Sequence, residues 1–154
     1  MSITSKNNYI YKLLTDALTA NSLDVVHTVR SPQELQKKES PLFYFTIDKE
    51  TRDYEAEDGS IIVGTIEGTL FAGTKVTNDT AKVGKARISI EDIAEKVENA
   101  WQNTSGEGVY TDGGYTYTIY IDSVQIAEIF TYPDEGESKG WIEIKTIINY
   151  KRSY

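Results

Sequence analysis

The residues of this chain with chemical potential are few and scattered. His27 is its only histidine and falls in a short β-branched run, Leu23–Val29. A base needs a nucleophile or substrate proton within hydrogen-bond reach, and a lone strand histidine is read as structural. The densest cluster is acidic, Asp53-Tyr54-Glu55-Ala56-Glu57-Asp58-Gly59. Carboxylates in such density suit a hard cation, but this run departs from a calcium loop. Glycine stands seventh instead of sixth, and the twelfth place is Gly64, which cannot supply the bidentate carboxylate. A solvated hairpin tip is expected instead. Gly68–Lys75 approaches a phosphate-binding loop, yet Thr74 separates Gly73 from Lys75 and no helix start follows. Paired carboxylates for glycoside hydrolysis cannot be read from abundance alone. Trp101 and Trp141 are assigned to core or interface ahead of sugar stacking. With no cysteine, disulfides and thiolate metal sites are excluded. The expectation is a non-enzyme with no catalytic residue, cofactor or metal.

Composition bounds the rest. A chain of 154 residues fits one domain, 1–154, able to bury roughly 68–70% of its unfolded surface. Apolar residues at 39% and charged residues at 26% describe a globular chain. The 24 acidic and 16 basic residues give a net charge of −8, unsuited to sequence-reading DNA binding. Eleven tyrosines, many at alternating positions, point to half-exposed sheet faces or interfaces. The opening MSITSKNNYIYKLL does not read as a signal peptide, and no apolar run is long enough to span a bilayer. The sequons at Asn78 and Asn103 are therefore expected to be chance matches.

The elements that must position these residues follow from periodicity. Ile10, Leu13, Leu14, Ala17 and Leu18 form one stripe of a helix over 5–21, capped by Ser5 and stopped at Asn21-Ser22. Leu23–Val29 reads as a strand. Ser31-Pro32-Gln33-Glu34 is a capping box opening a short helix that Ser40-Pro41 closes. Leu42–Lys49 and Ser60–Thr74 read as two long antiparallel strands, joined through the solvated segment Glu50–Gly59. Gly64, Gly68 and Gly73 predict bulges or bends in the second. Lys75–Lys85 reads as a loop. Ser89 caps a helix over 90–103, with Asp92 at the capping-box position and Ile90, Ile93, Ala94, Val97 and Trp101 on one face. Thr104–Gly108 and Asp112-Gly113-Gly114 read as turns. Tyr115–Asp122 and Val124–Tyr132 are strands, or one bent strand, and Pro133–Gly140 turns into a last strand, Trp141–Lys151.

Each helix has a single apolar stripe. The fold class is therefore α+β: a mostly antiparallel sheet of four to five strands, with an N-terminal and a central helix on one face.

The order of elements over nearly the whole chain resembles the tail terminator (tail completion) family of long-tailed bacteriophages. The similarity rests on the helix Ile10–Leu18, Pro41 leading into LFYFTID, the strand IIVGTIEGTLFAGT, the helix ISIEDIAEKVENAW and the closing strand WIEIKTIINYKR. The resemblance implies a hexameric ring that caps the tail tube, contacts the tube protein and a head-completion or neck protein, and lets DNA through its lumen. It implies a virion protein assembled in the host cytoplasm, with no membrane partner. Asp53, Glu55, Glu57 and Asp58 are then candidates for a lumen- or tube-facing loop, since like charge repels DNA. Tyr115, Tyr117, Ile119, Ile142, Ile144 and Tyr150 are candidates for an inter-subunit sheet face. Competing expectations are another neck, head-closure or baseplate component, a small acidic hydrolase or carbohydrate-binding module, and a partner-binding domain of a bacterial host.

Overall fold

The computed structural model describes residues 5–21, 24–25, 42–75, 85–102, 104–134 and 139–154. Their elements run α1 (Lys6–Ala20), β1 (Asp24–Val25), β2 (Leu42–Tyr54), β3 (Ile61–Lys75), α2 (Lys85–Trp101), β4 (Gly106–Asp112), β5 (Tyr115–Asp134) and β6 (Lys139–Ser153). One sheet holds all six strands in the order β1-β2-β3-β6-β5-β4. Five of them are antiparallel, and β1 is a two-residue parallel addition at one edge. This is the α+β class expected from the sequence. His27 and the box Ser31–Glu34 lie outside the described residues. No helix among the described residues is long and apolar enough to cross a membrane.

Helix α1 keeps its predicted limits. The Ser5 hydroxyl accepts the Asn8 amide proton at 3.1 Å, satisfying one of the unpaired donors at a helix start. Asn21 closes the other end, its backbone N–H donating to Leu18 and its side chain to the Ala17 carbonyl at 2.8 Å. Ile10, Leu14 and Leu18 are fully buried one turn apart. Helix α2 starts at Lys85, so Ser89 and Asp92 lie within it instead of capping it. Trp101 seals its last turn, packing edge-on to Phe45 and donating its indole N–H to the Leu14 carbonyl at 3.3 Å. That bond fixes one helix against the other.

Both helices cover one face of the sheet. On β3 that face carries Ile62, Ile66, Leu70 and Ala72, and on β6 Ile142, Ile144, Ile148 and Tyr150. The bulges expected in β3 lie elsewhere: β3 pairs without interruption with β6, while β2 shifts register between Ile47 and Lys49. β5 is one continuous strand with shifts at Ile121/Ser123 and Ile126/Glu128. The segment 50–54 is strand, not tip. The supposed turn Thr104–Gly108 opens β4, which folds back on β5 through Gly113-Gly114, both at positive φ (58° and 83°).

The strand glycines make room for rings. A Cβ at Gly64 would overlap the ring of Tyr150, its cross-strand partner. A Cβ at Gly68 would overlap Phe45 and stand 2.8 Å from the Thr46 carbonyl oxygen. One at Gly108 would overlap Tyr9. The rings of Tyr150 and Phe45 are buried and cannot swing away, whereas Tyr9 is half-exposed. Gly64→Ala and Gly68→Ala are expected to lower unfolding free energy by about 1–3 kcal/mol each. Gly108→Ala is expected to cost less. Urea titration of the three variants measures that order.

Candidate functional site

Among the described residues no element covers the opposite face of the sheet, and its side chains divide into zones. At one end an aromatic stripe crosses four strands. Tyr44 stacks on its cross-strand partner Phe71 with centroids 6.3 Å apart, Phe71 meets Trp141 at 6.4 Å, and Trp141 stacks on its partner Tyr132 at 4.0 Å. Such pairs contribute beyond their buried area. Phe130 and Tyr132 end the stripe with 40% of their surface exposed, while Ile129 shares the other side of the sheet with its partner Ile144 and keeps 43%.

The middle of this face is polar. Asp48, the extra residue of the β2 bulge, accepts from Thr46 at 2.9 Å and Thr69 at 2.5 Å. Lys145 donates to the same Thr69 hydroxyl at 3.0 Å. Further along, Asn149 bridges Thr65 and Ser123 at 3.1 and 3.0 Å, tying β3, β6 and β5 together. An open groove of about 410 Å³ runs across this zone, lined among others by Asp48, Glu67, Glu128, Phe130 and Lys145. Its charged groups sit in solvent and pair with neighbours, as Glu67 does with Lys49 and Glu143 with Lys145, both at 3.8 Å. No group of three or more metal-ligating side chains occurs among the described residues. The groove is open to solvent and lined by paired charged and apolar side chains that a partner surface could contact.

The bulge at Asp48 also sends Glu50 and Arg52 to the covered side, into a partly buried charged cluster. Glu50 accepts from Lys6 of α1 and from Arg52. Burial alone would raise the Glu50 carboxyl, but these two cations hold it below its ordinary value. Burial pushes the Lys6 ammonium down, opposed by Glu50, and Lys6 also lies 5.1 Å above the Tyr150 ring. Burial, reinforced by Glu50, pushes the Tyr150 phenol up to about 12. Nearby, Arg152 stacks 4.6 Å over Tyr117 and donates to the Tyr110 hydroxyl at 3.5 Å.

The candidate residues fall in different places. Asp53, Glu55, Glu57 and Asp58 are exposed and gather at the β2–β3 turn. There the Ser60 amide holds the Asp58 carboxyl below its usual range. The proposed inter-subunit face is corrected. Ile119, Ile142, Ile144 and Tyr150 are at most 1% exposed, because both helices lie on that side. Only Tyr115 is exposed, with Tyr117 half-buried, in a tyrosine cluster completed by Tyr110 and Tyr154. The accessible sheet side chains are those of the opposite parity, and sequence reasoning did not assign them. Comparison with protein-family models finds no match, and a search of curated proteins finds none.

Because the folded Glu50 carboxyl titrates below its ordinary 4.5, its pairing stabilises fully above that pH. The contribution is lost as pH falls through the lowered value. Glu50→Gln is expected to cost about 2 kcal/mol at neutral pH. It should also flatten the stability loss between roughly pH 5 and pH 3. Denaturant titrations of both proteins across that interval check the sign and the window.

Proposed function

We propose that this chain is a structural subunit working through contacts between copies, as the ring that ends the tail tube of a long-tailed phage and joins it to the head. The observation that carries this reading is the open sheet. A half-wet face bears a four-strand aromatic stripe, and that stripe runs out at exposed Phe130 and Tyr132 on the β5 edge. Exposed aromatic and aliphatic groups at a strand edge are recognition surface. The order of elements supports the same reading, since the resemblance to the terminator family rests on an N-terminal helix, two long strands, a second helix and a closing strand, and α1, β2, β3, α2 and β6 come in that order.

The roles then divide by position. Asp53, Glu55, Glu57 and Asp58 present carboxylates at the β2–β3 turn, where a lumen or tube-facing end repels DNA. The tyrosine cluster at the β4–β5 turn offers rings and hydroxyls to a neighbouring tube or neck protein. DNA passes without sequence contacts, and the protein resides in the virion after assembly in the host cytoplasm.

Native mass spectrometry and negative-stain imaging are expected to give a closed ring, sixfold by the resemblance, that binds purified tail tubes. A strict monomer that binds neither tubes nor portals would overturn the reading, and a ring that binds only portals would move it to the neck. Reversing Asp53, Glu55, Glu57 and Asp58 to lysine should leave ring mass unchanged and reduce head–tail joining. Unchanged joining would make that turn ordinary surface.

A further inference from the structure

Two edges of the sheet are open over the same stretch. β4 covers β5 only from Tyr115 to Ile121, so from Ser123 onward β5 pairs with β6 alone among the described residues. On the far side β1 meets β2 only at Leu42 and Phe43, leaving Tyr44–Tyr54 without an outer partner among the described residues. Following the registers across the sheet puts Thr51, Thr65, Asn149 and Ser123 in one row, and Tyr44, Phe71, Glu143 and Phe130 in another. The open stretches 44–51 and 123–130 therefore stand at equal height on opposite edges. Each contains one extra residue, Asp48 or Ala127, so the two edges kink at neighbouring rows.

Direction completes the match. β2, β3, β6 and β5 alternate, so β2 and β5 run opposite ways. Rotation about an axis along the strands brings β5 of one copy beside β2 of the next in antiparallel order, with both helical faces on the same side. Such a head-to-tail joint closes into a ring when the rotation divides the circle. Phe130, at one end of the aromatic stripe, arrives beside Tyr44 of the next copy, at the other end, and the stripe continues.

We infer that copies of this chain join edge to edge, β5 of one pairing antiparallel with β2 of the next through Ser123–Phe130 and Tyr44–Thr51. The inference rests on the ring reading above and names the joint within it. The occupant of each open edge is a second copy of the same chain. Backbone hydrogen bonds supply the contact, and the aromatic row sets the register.

The sequence provides a clean probe, because it contains no cysteine. Lys49 and Gln125 are both exposed, in one row and on the open face. Opposed residues of an antiparallel pair stand about 4.5–5.5 Å apart, within disulfide range. A chain carrying both Lys49→Cys and Gln125→Cys, mildly oxidised, is expected to give a ladder of covalent multimers ending at the native ring mass. Each single variant should give no species beyond a dimer. A native ring with no ladder overturns this joint and leaves the ring reading standing, whereas a monomer at every concentration overturns both. Phe130→Lys supplies a second measurement: assembly weakened by about tenfold or more, with the circular dichroism spectrum of the folded chain unchanged. Undiminished assembly of that variant would also overturn the joint.

Discussion

Along β6, Ile142, Ile144, Thr146, Ile148 and Tyr150 point under the helices, and Trp141, Glu143, Lys145, Ile147 and Asn149 point away. The rest of the molecule depends on that parity. A strand alternates sides with a period of two, so a slip of one residue would bury Glu143 and Lys145 and expose a row of isoleucines. β3 on one side and β5 on the other must keep the same phase, and the uninterrupted β3–β6 register does so for fifteen consecutive pairs. The outer strands accommodate twist with extra residues, in β2 near Asp48 and in β5 near Asp122 and Ala127. Glycines 64 and 68 belong to the same constraint. The rings of Tyr150 and Phe45 lie across β3 on the covered face, and any side chain there would lift them off the core.

The parity change at Asp48 gives the covered face a charged knot. Glu50 enters a region otherwise filled by isoleucine and leucine, and is tolerated because Lys6 reaches down from the first turn of α1 while Arg52 reaches along the strand. A charge so placed is costly alone and acceptable only when paired. The knot fastens the start of α1 to the hairpin, as the Trp101 bond to Leu14 fastens its middle to α2. The helices are thus held by directional contacts as well as by apolar burial.

Much of this was legible in the residues, and the failures have physical causes. The α1 stripe and its Ser5 cap place that helix to within a residue, because burial and capping agree. The start of α2 was misplaced because Ser89 with Asp92 imitates a capping box, while the helix already begins at Lys85. The first residues of β4 read as part of a turn because Gly106 and Gly108 resemble turn residues, although at least Gly108 is needed to clear the ring of Tyr9. The alternation Ile119, Ile142, Ile144, Tyr150 was in phase, but period two does not say which side a helix will cover. That choice comes from contacts distant in sequence. The open face therefore escaped sequence reasoning, although its aromatic members, Tyr44, Phe71, Tyr132 and Trp141, were all visible as large residues of opposite parity.

The seam between β3 and β6 also governs how the chain reaches its fold. β2 with β3, and β4 with β5 and β6, are near neighbours along the chain and close through short connections. The seam joins Ile61 with Ser153 and Lys75 with Lys139, across the whole of α2 and two intervening strands. Loop-closure entropy must be overcome before those contacts form, so the seam belongs late on the folding route. Until it zips, two long isoleucine-rich strands stand with bare edges, and α2 has only part of the surface it covers in the folded chain. Crowded nascent chains would be most prone to mispairing in that interval, and the same strand-edge chemistry that can join finished copies can then join unfinished ones.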